Sequence, residues 1–178
     1  SFDSGADTVV NWTGSLMTGE EAVVATPTYG NLSEGNHVLN ISVSNPNGVV
    51  DENMANDNFS HNFNVSPEYT TSTLIFNLNT DDYANETSWE LTDSNGTIIE
   101  SGPVTTYTDF TAYQETITIP SFDECYIFTI FDSFGDGICC GFGNGSYDLQ
   151  DDSGNIIISG GDFGSSESIL FSVQDPLS

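Results

Sequence analysis

Short runs in which apolar and polar residues alternate, each closed by Gly, Pro, Asn, Asp or Ser, recur every eight to twelve residues along this chain. "HVLNISVS", "STLIFNL", "SWELTD", "ETITIP", "YIFTIFD", "SYDLQD", "NIIISG" and "SILFSV" are rich in β-branched and aromatic residues. A period of two places alternate side chains on opposite faces of a strand, so each run predicts a strand with one buried face. No window carries a convincing helical period; "TGEEAVV" is the best helix start and is too short to matter. The pattern therefore predicts an all-β chain. One run, "HNFNV", ends just before Ser66-Pro67 and a new series begins there, which places a domain boundary between residues 1–65 and 66–178.

The second region repeats itself. "SWELTDSNGTIIESG" at residues 88–102 aligns without gaps to "SYDLQDDSGNIIISG" at residues 146–160, with eight of fifteen positions identical at an offset of 58. Extended upstream, the alignment sets Asp81 against Asp132 and Tyr83 against Phe134; extended downstream, it sets Glu115 against Glu167. Each half reads strand, acidic loop, strand, tight turn, strand, long loop, strand. Two halves predict an eight-strand, jelly-roll-like two-sheet sandwich with an internal pseudo-repeat, preceded by a separate β-domain in tandem.

Charge changes the picture next. The chain of 178 residues has 27 Asp plus Glu, two His, and neither Lys nor Arg, for a formal net charge of -27. An average protein of this length carries roughly twenty basic residues. Such a chain lacks conventional internal salt bridges, repels itself when compact, and is expected to avoid nucleic acid and anionic membrane surfaces. No run is apolar for long enough to insert in a bilayer. Compensation must come from cations, either bulk salt or divalent ions held by oxygen ligands. With 37% hydrophobic and 12% aromatic residues in patterned runs, acidity here does not imply disorder.

The segment "FDSFGDGICCGFGNG", residues 131–145, gives that second option a place. Asp132 and Asp136 flank a glycine-containing reversal, and D-x-x-x-D-G matches positions one, five and six of an EF-hand loop. It is not an EF-hand: position three is Phe134, position twelve is Gly143, and the flanks are strands. Closely spaced carboxylates and glycines can still supply the hard oxygen ligands that calcium takes. If the pseudo-repeats lie side by side, the loop "TDDYANETSW" brings Asp81 and Glu86 to the same end, giving a calcium ligand set of Asp81, Glu86, Asp132 and Asp136. The competing reading is that these Asp and Gly residues only form turns. Cys125 opens the strand into this loop and Cys139 and Cys140 close it. A bridge from Cys125 to either would close a loop of about 15 residues and stabilise by roughly 3 kcal/mol; the alternative is three buried thiols.

The same residues carry a family resemblance. "TDDYANETSWELTDSNGTII" and "ECYIFTIFDSFGDGICCGFGNGSYDLQDDSGNIIISGGDFGSSES" resemble an accessory module of secreted multidomain proteins of the Bacteroidetes, including adhesins and metallopeptidases exported by the type IX secretion system. The match covers residues 72–173. The earlier segment, with W-x-G-x-L, G-x-H and P-N-G-x-x-D, resembles the C-terminal half of an Ig-like domain of the CARDB kind. The resemblance implies spacers, stalks or binding modules in series, an extracellular or cell-surface location, neighbouring domains of a longer chain, and an O-glycan at Thr8 within "DTV". It also implies further cysteines near what are here Ile119 and Ser172, which this chain lacks, so the third cysteine has no assigned partner.

Catalytic patterns such as H-E-x-x-H and G-x-S-x-G are missing from the sequence, and catalysis is not expected. His37 and His61 read as half-exposed strand residues, and Trp12 and Trp89 as core positions. Two function classes follow. One is a non-catalytic structural or adhesin segment stabilised by calcium. The other is a calcium-dependent carbohydrate-binding module attached to a secreted hydrolase or metallopeptidase, which would meet surface polysaccharide or other cell-surface proteins through exposed aromatics near the acidic loops. Tyr83, Phe134 and Phe142 are the candidates.

Overall fold

Alternation does what it predicts most plainly in β4 (Thr73–Asn79), where Leu74, Phe76 and Leu78 are buried while Ile75 and Asn77 between them are only half-covered. A computed structural model supplies the structure and describes residues 1–178 except 4, 18, 29–31, 46–47, 50–52, 104 and 178. The chain divides into two compact units, Ser1–Val65 and Ser66–Ser178. Among the described residues there is no α-helix, and no helix is long and apolar enough to cross a membrane.

In the N-terminal unit β1 (Gly35–Ser42) pairs antiparallel with β2 (Asn58–Val65), Gly35 lying opposite Val65 and Ser42 opposite Asn58. Two expectations are corrected here. His37 is buried rather than half-exposed, and it forms an ion pair in a chain without Lys or Arg: Nδ1 donates to Asp3 Oδ2 at 2.9 Å and Nε2 donates to the Ser33 carbonyl at 2.7 Å. Both ring nitrogens face acceptors, so the imidazolium is the form that satisfies both. Trp12 is 46% exposed and is not a core residue, whereas Trp89, in the other unit, is buried. His61 lies exposed on β2, its ring stacked between Phe59 and Phe63.

The C-terminal unit contains β3 (Glu68–Thr70), β4, β5 (Thr87–Asp93), β6 (Ile98–Gly102), β7 (Ala112–Thr118), β8 (Glu124–Asp132), β9 (Ser146–Asp151), β10 (Ile156–Gly160) and β11 (Ser166–Gln174). They form a four-stranded sheet, β10-β9-β4-β7, and a five-stranded sheet, β3-β11-β8-β5-β6. The expected eight strands are present, and β3 adds a ninth, parallel to β11 at one edge.

Exchanging β4–β7 with β8–β11 turns one sheet order into the other, apart from β3. Each half thus gives two strands to each sheet. Phe76 faces Leu149 across β4 and β9, as Phe128 faces Leu91 across β8 and β5; Leu78 faces Tyr147 as Ile130 faces Trp89. This register equates Thr80, not Asp81, with Asp132, one residue away from the alignment expected from sequence. Likewise Glu115 faces Phe76 while Ile169 faces Phe128, so Glu167 stands two residues from Glu115's true counterpart. The acidic letters lined up; the inward-facing apolar residues fix the real correspondence, because a one-residue slip would turn the buried face outward.

The core lies on the pseudo-axis. Phe76 packs on Trp89 and on Phe128, each at 5.2 Å between ring centroids, and Tyr147 closes the group at 6.4 Å from both Phe rings. The polar tips of this quartet are satisfied. Trp89 Nε1 donates to Tyr107 Oη, which donates to Glu115 at 2.7 Å, and Tyr147 Oη donates to Glu167 at 2.6 Å. Burial is the main cause that pushes both tyrosine hydroxyls well above their ordinary value, with the carboxylates adding to it.

Candidate metal centre

The two acidic loops meet because of strand pairing. The β4–β5 loop leaves at Asn79, which lies opposite Ser146 at the start of β9, and arrives at Thr87, which lies opposite Asp132 at the end of β8. Both crossovers therefore span the same end of the sandwich, beside each other. Backbone bonds join them: Ser133 N–H donates to the Glu86 carbonyl at 3.0 Å and Asp82 N–H to the Phe142 carbonyl at 3.2 Å. A short 3-10 turn, Ala84–Glu86, carries Glu86 into position.

The β8–β9 loop is held by close backbone approach and one apolar anchor. Ile138 is fully buried in the core cluster, and its N–H donates to the Gly161 carbonyl at 2.8 Å. Gly137 has φ +73°, and a Cβ there would sit 2.7 Å from the Gly161 oxygen; a Cβ on Gly145 would run into the Ile138 carbonyl. These glycines let the loop fold down on Ile138. Asp132, 5% exposed, accepts the Gly135 amide at 2.5 Å and pins the reversal that presents Asp136.

Glu86, Asp132 and Asp136 each place a carboxylate oxygen so that all three lie within 4.8 Å of one another. Asp132 is buried, Glu86 is half-buried and Asp136 is exposed. Asp81, also buried, stands beside this group but outside the 4.8 Å set; its Oδ1 accepts the Tyr83 amide at 3.0 Å. Of the four carboxylates expected from sequence, three converge and the fourth adjoins them. Burial raises the Asp81 carboxyl above the usual carboxylate range, and the charges of Asp132 and Asp136 add to this. Glu86 is raised in the same way, first by desolvation and then by Asp132, Asp136 and Asp81. No basic group relieves the repulsion, since the chain has no Lys or Arg.

One residue at this place was not found by sequence reading. Thr87 is 3% exposed, and its Oγ1 is the only buried side-chain polar atom among the described residues without a hydrogen-bond partner. It lies directly opposite Asp132, so both side chains project from the same face of the sheet. A buried hydroxyl without a partner is costly. Alternation with Trp89 and Leu91 could have placed Thr87 on the inner face. Only the register places it against Asp132.

The expected bridge from Cys125 is corrected. Cys139 and Cys140 form a disulfide with each other, and Cys125 is free. Cys125 sits near the start of β8, seven residues from Asp132, which at about 3.3 Å per residue is about 23 Å along the strand. Disulfides need Cα atoms within about 7 Å. The residue across from Cys125 is Ser172, so it has no thiol neighbour there.

The three aromatics expected to be exposed are so: Tyr83 at 43%, Phe134 at 75% and Phe142 at 52%. Tyr83 and Phe142 make an edge-to-face pair at 5.2 Å and 89°. Sequence reading missed a fourth, Phe110, exposed at 68%, whose N–H donates to the Asp81 carbonyl at 3.0 Å. Thr8 is exposed in the N-terminal unit.

Fold and site together define a pseudo-symmetric β-sandwich with a cluster of three carboxylates where its two crossover loops meet. Comparison with protein-family models, with curated proteins and with solved structures finds no match.

Proposed function

We propose that the chain is a non-catalytic structural or adhesin segment of a secreted or cell-surface protein, in which a calcium ion ties the two acidic crossover loops of the C-terminal unit together. The observation that carries this reading is the convergence of Glu86, Asp132 and Asp136 within 4.8 Å, beside an unpartnered buried Thr87 hydroxyl, in a chain without Lys or Arg. Three carboxylates of mixed burial suit a hard cation that takes six to eight oxygens, calcium above all. The cation would remove the repulsion that otherwise raises Asp81 and Glu86. The Cys139–Cys140 disulfide supports an oxidising, extracytoplasmic setting. The N-terminal unit, with its single two-stranded sheet among the described residues, is read as part of an Ig-like domain within a longer series.

Calorimetric titration of the chelator-treated protein with calcium tests this directly. Saturable binding is expected, with about 3 kcal/mol of added stability at a hundredfold excess over Kd. Identical melting curves in EDTA and in millimolar calcium would refute it.

A further inference from the structure

Every exposed aromatic side chain of the C-terminal unit among the described residues stands at the acidic end: Tyr83, Phe110, Phe134 and Phe142. The other rings of that unit are buried or partly buried, and all but Phe131 pack in or against the core. A patch of exposed rings confined to one end calls for a binding partner. The backbone at two of these residues, Phe110 and Phe142, is bonded to the loop that carries Asp81. Asp82 N–H bonds the Phe142 carbonyl, Phe110 N–H bonds the Asp81 carbonyl, and a Cβ on Gly143 would lie 2.8 Å from Asp81 and 3.4 Å from the Phe110 ring.

We propose that this end of the molecule binds a neutral glycan, whose vicinal hydroxyls complete the coordination of the cation held by Glu86, Asp132 and Asp136 while a sugar C–H face packs on the Tyr83–Phe142 pair. The proposal rests on the calcium reading above and adds a ligand class to that site. Three physical points select it. Asp136 is exposed and Glu86 only half-buried, so the cation would face solvent on one side with positions left for oxygen donors from outside the chain. Aromatic rings with an apolar face beside polar groups suit a ligand that is itself apolar on one face and hydroxylated on its rim. A formal charge of -27 with no basic residue disfavours sulfated glycans, nucleic acid and anionic lipid. Insertion of the rings into a neutral bilayer is disfavoured for another reason: the exposed carboxylates Asp82 and Asp136 adjoin Tyr83 and Phe134 and would have to leave water with them.

Affinity electrophoresis of the full chain through gels containing soluble mannan, galactan, xylan or mixed-linkage β-glucan, each run in calcium and in EDTA, tests the proposal. Retardation by at least one polysaccharide in calcium, absent in EDTA, is expected. Phe142→Ala should weaken it about tenfold, the scale of one aromatic contact. The same variant should keep the calcium-induced rise in melting temperature, which shows that it is folded and metal-bound. Glu86→Gln should lose both effects. A calcium-induced melting shift without retardation by any of the four polysaccharides overturns the glycan proposal alone; absence of the shift itself overturns the calcium reading and the proposal with it. Equal retardation in EDTA overturns the metal bridge, and calcium-dependent sedimentation with phosphatidylcholine vesicles instead of polysaccharide binding assigns the patch to membranes and overturns the proposal.

Discussion

Replacing Asp132 by Asn should change the sign of its effect on stability with the presence of calcium. The side chain is 5% exposed, its Oδ1 accepts the Gly135 amide, and its carboxylate lies within 4.8 Å of those of Glu86 and Asp136. Asn keeps an oxygen acceptor for Gly135 and removes the charge. In EDTA the variant therefore loses a repulsion that raises both Asp81 and Glu86, and it should melt above the parent chain. In calcium it lacks a ligand and should melt below it. At a hundredfold excess over Kd, binding adds about 2.7 kcal/mol, and a hundredfold weaker site adds about 0.4 kcal/mol at the same concentration. The C-terminal unit spans about 110 residues, so at about 2.1 cal/mol/K per residue its unfolding entropy is about 0.23 kcal/mol/K. Calcium should thus raise the melting temperature by about 12 °C in the parent and about 2 °C in Asp132→Asn. Differential scanning calorimetry of both proteins in EDTA and in calcium reads all four values. A calcium shift of equal size in the two proteins would show that Asp132 is no ligand, and a variant less stable in EDTA would show that charge repulsion does not govern this cluster.

Three further outcomes follow from the structure. Phe128→Ala removes a fully buried ring in contact with Phe76, Trp89 and Tyr147 and should cost about 3–5 kcal/mol in urea unfolding of the C-terminal unit. Iodoacetamide applied to the unfolded, unreduced chain should label Cys125 alone, with Cys139 and Cys140 labelled only after reduction; peptide mass mapping showing Cys125 in a bridge would contradict the observed pairing. In the N-terminal unit His37 is raised above its ordinary 6.5, chiefly by its bond to Asp3, and Asp3 is lowered below its ordinary 3.8, chiefly by His37. The His37 contribution is complete below pH 6.5 and is lost as pH rises through its raised value; the Asp3 contribution is complete above pH 3.8 and is lost as pH falls through its lowered value. An NMR titration should find His37 above 6.5 in the folded chain and returned toward that value in Asp3→Asn.

The sequence by itself determined the all-β class and nearly every strand, because strand formation with one buried face is a local matter of period two and turn residues. β9 falls at residues 146–151, where "SYDLQD" places it, and the change from one unit to the next falls at Ser66. The duplication was legible too, but the meeting of the acidic loops followed only on the condition that the halves lie side by side, which the pairing of β4 with β9 and of β8 with β5 supplies. What the sequence could not determine was register. Aligning like letters put Asp81 opposite Asp132 in the repeat, whereas the buried series Leu74, Phe76, Leu78 and Tyr126, Phe128, Ile130 shifts the match to Thr80. Distance was hidden in the same way: Cys125 and Cys139 are 14 positions apart, but an extended β8 separates them and leaves Cys139 to its neighbour. β3 escaped notice because three residues carry no period, and it exists only as an addition to the edge of β11. Thr87 is an ordinary strand residue in the sequence; its unpartnered hydroxyl beside Asp132 arises from cross-strand pairing, a contact between residues 45 positions apart that only the folded chain creates.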